Sequence, residues 1–171
     1  MKQFVFFCFC LSFSILLFGQ TYPKMPINET TKKITYQDVI EITGMKKDAI
    51  YLLISDWAST NFVSSKSAID YQDKESGVIS GKGNFPAGVN TIQSHFKIEI
   101  KDEKLRYTFT DFVSLSSTPG VTNFPIEPWY PPKGLMKGMQ IKALNDIDTK
   151  MKEIIASIEA KIKEGKVDTK W

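Results

Sequence analysis

Chemistry needs side chains that exchange protons, attack a substrate or hold a metal, and this 171-residue sequence offers few of them in useful patterns. Asp38 and Asp111 each interrupt an apolar alternation. Turned inward together, two carboxylates could share a proton or position a water. The simpler expectation is a bulge, or a strand end where an apolar face meets solvent. His95 is the single histidine and falls on a polar stretch between Gln93 and Lys97. With no second His and no neighbouring Cys to share a metal, it is expected as an exposed sheet residue. It is also the only base available to a serine nucleophile, and no Gly-x-Ser-x-Gly elbow occurs. Ser80-Gly81-Lys82-Gly83 echoes a phosphate loop, but that loop needs two glycines with four residues between them, then Lys and a hydroxyl residue opening a helix. Only three residues separate Gly77 from Gly81, Gly83 stands where the hydroxyl belongs, and a strand pattern continues. Sheet bending, or close approach of a helix, accounts for those glycines better. No catalytic residue, cofactor or metal is expected, and a hydrolase is the most remote reading.

Recognition is better served. Pro125-Ile126-Glu127-Pro128-Trp129-Tyr130-Pro131-Pro132 holds two large aromatics between prolines, so Trp129 and Tyr130 could offer a preformed contact surface at low entropic cost. The competing expectation is that Trp129 folds back on a sheet edge or on the last helix and secures a long crossover.

The elements that must carry these residues follow a leader. Lys2 precedes Phe4–Phe18, a run in which 13 of 15 residues are apolar and none is charged, and small Gly19 follows. Positive, apolar, small is the order of a secretory signal peptide, and the run is short for a permanent span. Residues 1–20 are therefore expected to be a signal peptide cleaved near Gly19–Thr21, leaving a periplasmic or envelope protein of a Gram-negative bacterium with no membrane span. Both cysteines, Cys8 and Cys10, lie inside the leader, so the exported chain has no disulfide and no thiol chemistry. Lys+Arg number 22 against 19 Asp+Glu, a balance that argues against a nucleic-acid partner.

Residues 21–33, with Pro23 and Pro26, read as a flexible N-terminal arm. Ile34, Tyr36, Ile40 and Ile42 fall at even spacing, the mark of a strand. Gly44 ends it, and Ile50, Leu53, Ile54 and Trp57 then mark one face of a helix ending near Phe62. Ala68–Asp73 and Val78–Phe85 read as strands joined through Lys74-Glu75-Ser76-Gly77. Ile92, Phe96, Ile98 and Ile100 alternate with polar residues, and so do Leu105, Tyr107, Phe109 and Val113 after Lys101-Asp102-Glu103-Lys104. Five prolines exclude a helix interior or a central strand from the loop 116–134. A final helix over about 138–164 carries Ile141, Leu144, Met151, Ile155, Ile158 and Ile162, with Gly165 as its stop and 166–171 as a tail. The order β-α-β-β-β-β-α over 34–165 is that of one α+β domain: a curved antiparallel sheet of about five strands with two helices on one face.

Several of these segments resemble a family of exported bacterial domains of unknown function with a TBP-like fold. They are Lys33–Ile42, Gly44, Lys47-Asp48 and Trp57, then Tyr71–Gly77, Ile79–Gly83 and Arg106–Phe112. The resemblance implies a curved antiparallel sheet backed by two helices in a short envelope protein. It implies no activity and no binding residues. The expected function is thus a non-enzymatic module that binds an envelope protein, peptide or glycan on its sheet face or with the Trp129/Tyr130 loop. The alternative is a carrier of a small apolar ligand, in a cavity between helices and sheet lined by Trp57, Phe96, Phe109 and Ile155.

Overall fold

The structure, a computed structural model, describes residues 21–61, 68–116 and 122–168. The expected leader 1–20, the helix end at Phe62, Pro119 and residues 169–171 of the expected tail lie outside the described residues. The elements are β1 (Tyr36–Glu41), α1 (Lys47–Asn61), β2 (Ala68–Asp73), β3 (Val78–Ala87), β4 (Asn90–Lys101), β5 (Lys104–Leu115), β6 (Phe124–Pro125), a short 3-10 turn (Glu127–Trp129) and α2 (Lys137–Asp168). The strands run in the order β1-β5-β4-β3-β2, every neighbour antiparallel, and β6 pairs with the far end of β5.

Alternation dictates which face is covered. Ile79, Phe85, Ile92, Phe96, Ile98, Ile100, Leu105 and Phe109 join one core with Ile50, Ile54 and Trp57 of α1 and Leu144, Ile147, Met151 and Ile158 of α2. Both helices therefore lie on the same side of the sheet, and the opposite side is open to solvent. Trp57 fills the seam between them, its indole N–H donating to Ser157 Oγ at 2.9 Å. Its truncation to Ala is expected to cost about 3–5 kcal/mol. Tyr36 reaches from β1 to donate to Asp148 of α2 at 2.9 Å. Burial, then the Asp148 charge and this hydrogen bond, push its hydroxyl far above the ordinary tyrosine range.

Three expectations are corrected. Val113 is not on the core face. Asp111 takes φ +54, and the β4–β5 register shifts between the Gln93–Val113 and His95–Thr110 pairs. This bulge reverses the parity of β5, so Phe112 and Ser114 are buried instead. Gly165 does not stop the last helix, which continues to Asp168. A Cβ there would stand 2.3 Å from Leu53 Cδ1, so this glycine lets α1 and α2 approach. Nor is 21–33 a free arm. Met25 is only 3% exposed, Ile27 bridges Ile34, and Asn28 Oδ1 accepts the N–H groups of Thr30 and Thr31 at 3.0 and 2.9 Å. Met25 closes one margin of the core, beside the Tyr36 hydroxyl.

Candidate functional site

Two surfaces could act on something outside the fold. One is the open sheet face, where His95, Lys97, Thr108, Thr110 and Asp111 line a shallow depression of about 250 Å³ with Ser80. His95 is exposed, as its position in the alternation dictates. Its Nδ1 stands 4.0 Å from Asp111 Oδ2, too far for a hydrogen bond. The Asp111 carboxylate is held instead by Lys33, whose ammonium is stabilised, through that hydrogen bond and the carboxylate's charge, above the usual lysine range. Nearby, Arg106 and Lys97 both bind Glu99, at 2.6 and 3.1 Å. Burial works to raise Glu99, but these hydrogen bonds outweigh it and keep the carboxyl below its ordinary value. Asp38 pairs across the sheet with Tyr107 on the helix side of the edge strand, where it is exposed. Asp38 and Asp111 thus lie on opposite faces, and no carboxylate dyad forms. Among the described residues no three His, Cys, Asp or Glu side chains group to hold a metal ion. Ser80-Gly81-Lys82-Gly83 lies in the middle of β3, with Gly81 and Gly83 buried under the helices.

The other surface is one end of the molecule, where the β3–β4 turn, β6, the 3-10 turn and the start of α2 meet. Its scaffold begins at Ile126, fully buried, whose N–H donates to Phe112 O at 3.1 Å. Glu127 turns back to accept the N–H of Ile34 at 3.2 Å. Pro128 sits in the middle of the 3-10 turn, which closes through Trp129 N–H to Ile126 O at 2.8 Å and Tyr130 N–H to Glu127 O at 3.0 Å. Trp129 and Tyr130 are both half-buried against the core. Trp129 meets Phe124 edge-on with ring centres 5.7 Å apart, and Tyr130 meets Tyr22 likewise at 5.8 Å. Pro131, Pro132 and Gly134 then lead into α2, the loop closed by Lys133 N–H to Gln140 Oε1 at 2.9 Å.

A groove of about 170 Å³ results, lined by Asn90, Phe124, Trp129, Met136, Met139 and Gln140. Around it Val89 is 79% exposed and Leu135 wholly so, while Phe124, Met136 and Met139 are about half exposed. Trp129 thus packs against the core and Phe124 and also lines the groove. Sequence reasoning singles out Trp129, which lines the groove, and Tyr130, which packs on Tyr22 and is not among the lining residues; it does not single out Phe124, Val89, Leu135, Met136 or Met139. They carry no period, and the available signal was a cluster of large apolar residues inside a segment that proline and glycine make irregular.

The four residues named for an apolar-ligand cavity are placed as follows. Phe96 and Phe109 touch within the core, with ring centres 6.4 Å apart. Trp57 sits between the helices, and Ile155 is half-buried at their margin. A depression of about 260 Å³ opens beside Trp57, lined also by Asp56, Thr60, Ser157 and Lys161.

Residues 36–114 match a family described as a domain of unknown function (DUF4468) with TBP-like fold. Among solved structures the chain is similar to a TBP-like protein from Parabacteroides distasonis. That match has 16% identity, covers 74% of this chain and 93% of the other, and has a TM-score of 0.60. It is also similar to a DUF4468 family protein from Bacteroides ovatus, at 15% identity, 80% and 92% coverage and a TM-score of 0.58. Identities this low speak to fold alone, and the fold is TBP-like. No curated protein matches the chain.

Proposed function

We propose, taking residues 36–114 as a DUF4468 domain with a TBP-like fold, that this protein is an exported, non-enzymatic binding module of the Gram-negative envelope whose recognition surface is its apolar end. The observation that carries this reading is the cluster of Val89, Phe124, Leu135, Met136 and Met139 in the open around a groove. Soluble surfaces scatter such residues singly, and a contiguous patch marks a contact site. Methionine and tryptophan suit the role, since a flexible thioether adapts to a partner and a fixed indole anchors it. Export rests on the leader composition. The non-enzymatic part of the reading rests on the sequence, with its single histidine and no Gly-x-Ser-x-Gly elbow.

The open sheet face is the second surface for a protein, peptide or glycan, with the depression around His95, Thr108 and Thr110 as its concave part. Its charges are largely satisfied within the fold, which leaves less for a partner to gain.

Capture from native envelope extract tests the reading. Wild-type protein is compared with Met136→Ser/Met139→Ser, which changes only exposed side chains, and with Trp129→Ala and Tyr130→Ala. Loss of captured material in the methionine variant, with unchanged thermal unfolding, is the expected result. Equal capture by all four proteins would remove the apolar end as the recognition surface.

A further inference from the structure

We propose that the apolar end docks on an anionic lipid surface, Leu135, Met136 and Met139 entering the interface while Lys133 and Lys137 meet the headgroups. This deepens the binding-module reading and rests on it. Leu135 follows Gly134, which takes φ +71, and its side chain stands fully in solvent. Val89, on the neighbouring turn, is almost as exposed. A single partner side chain filling the groove would leave both residues in water. A soft, continuous apolar layer accommodates them together with the methionines.

Charge points the same way. From Pro128 to Asn145 the sequence holds three lysines and neither Asp nor Glu. Lys142 is engaged by Asp146 at 3.1 Å, and that carboxylate also accepts the Gly88 N–H at 2.7 Å. Glu127, the acid just before the stretch, is turned inward to Ile34 N–H. Lys133 and Lys137 are exposed and make no ion pair among the described residues. They flank Leu135 and Met136 at the positive end of α2, so apolar tip and cationic collar coincide.

The chain path agrees. Thr21 O accepts Asn145 Nδ2 at 3.3 Å, and Tyr22 packs on Tyr130. The polypeptide therefore enters the fold beside this end, three residues after the uncharged run Phe4–Phe18.

The test is co-sedimentation of the processed protein with vesicles of phosphatidylglycerol and phosphatidylethanolamine, against vesicles of phosphatidylcholine, with amide hydrogen exchange mapping the contact. Expected are binding to the anionic vesicles, weakening as salt rises, and protection confined to the 88–90 turn and residues 133–140. Lys133→Gln/Lys137→Gln is expected to lower partitioning about 25-fold, near fivefold for each lysine. Leu135→Ser/Met139→Ser is expected to lower it at least tenfold. No binding to anionic vesicles, equal binding to phosphatidylcholine, or protection at another surface would each overturn the proposal. If vesicles fail while Met136→Ser/Met139→Ser still loses an envelope protein in the capture experiment, the lipid assignment falls and the binding reading stands. If capture is unaffected as well, both fall.

Discussion

The two ends of the sheet are finished in opposite ways. At the end bearing the β2–β3 and β4–β5 turns, nearly every loop is tied to another by polar contacts. Asp102 Oδ1 accepts the N–H of Lys47 at 2.8 Å, supplying from a distant turn the cap that Lys46 cannot give α1. Glu103, at φ +62, exchanges backbone hydrogen bonds with Ile42 and Met45 at 2.6 and 2.9 Å and accepts Gly44 N–H at 2.8 Å through its side chain. Gly77 O accepts Ile100 N–H at 2.7 Å, and Lys47 Nζ reaches Glu75 O at 2.8 Å. At the other end, hydrogen bonding anchors the base of the loop and the margin is apolar and open. One end is thus closed by its own polar contacts, and the other presents apolar side chains to solvent.

Matched substitutions at the two ends would break or sharpen that contrast. The largest effect is expected at Gly77, where φ is +69 and a Cβ would stand 2.4 Å from Ile100 O. Gly77→Ala should cost about 2–3 kcal/mol by urea unfolding. Gly134→Ala, at φ +71 with nothing within 4 Å of the added carbon, should cost only about 1 kcal/mol from backbone strain. Equal losses would mean that the tied end is no tighter than the open one.

Acid should act on the tied end. The hydrogen bond from Lys47 N–H, with help from the charge of Lys46, holds the Asp102 carboxyl below its usual 3.8, and Ser76 does the same for Asp73. A carboxyl depressed in the folded state stabilises it above the unfolded value, and that contribution is lost as pH falls through the lower folded value. Urea midpoints at neutral pH and near pH 3 should show Asp102→Asn less stable than wild type at neutral pH. Across the same interval the variant should lose less stability than wild type. The smallest change is reserved for the open end, where Met136→Ser/Met139→Ser should move stability by less than about 0.5 kcal/mol. A larger loss would show that these side chains support the fold and are not held in reserve for a partner.

Where local pattern decided the structure, the sequence was legible. Period-two runs gave β1, β4 and the first half of β5, the turn residues 74–77 gave the β2–β3 hairpin, and the 50-53-54-57 spacing gave α1. What escaped was decided by contacts distant in sequence. Gly165 reads as a helix stop until Leu53 of the other helix is placed against it. Met25 belongs to no periodic run, and its burial depends on Tyr36 and the sheet margin. Asp111 reads as a bulge or a strand end, and Val113 looks inward until the bulge is placed and the residues after it are counted out of step. Trp129 and Tyr130 were visible as candidates because they are aromatic and flanked by proline. The groove's other lining residues were not, since exposure is a property of the assembled surface.

The bulge at Asp111 divides β5 into two half-strands that run out of step with each other. The first half, 104–109, pairs with β1 and the second, 113–114, with β6, so a single strand edge serves two clients in succession. Deleting Asp111 would restore plain alternation with Phe112 and Ser114 still facing the core, whereas straightening the bulge with every residue kept would put Phe112 and Ser114 into water and Val113 into the core. The loop that bears Trp129 hangs from that distal half through Ile126, so its direction is set by one aspartate more than ten positions upstream in the chain.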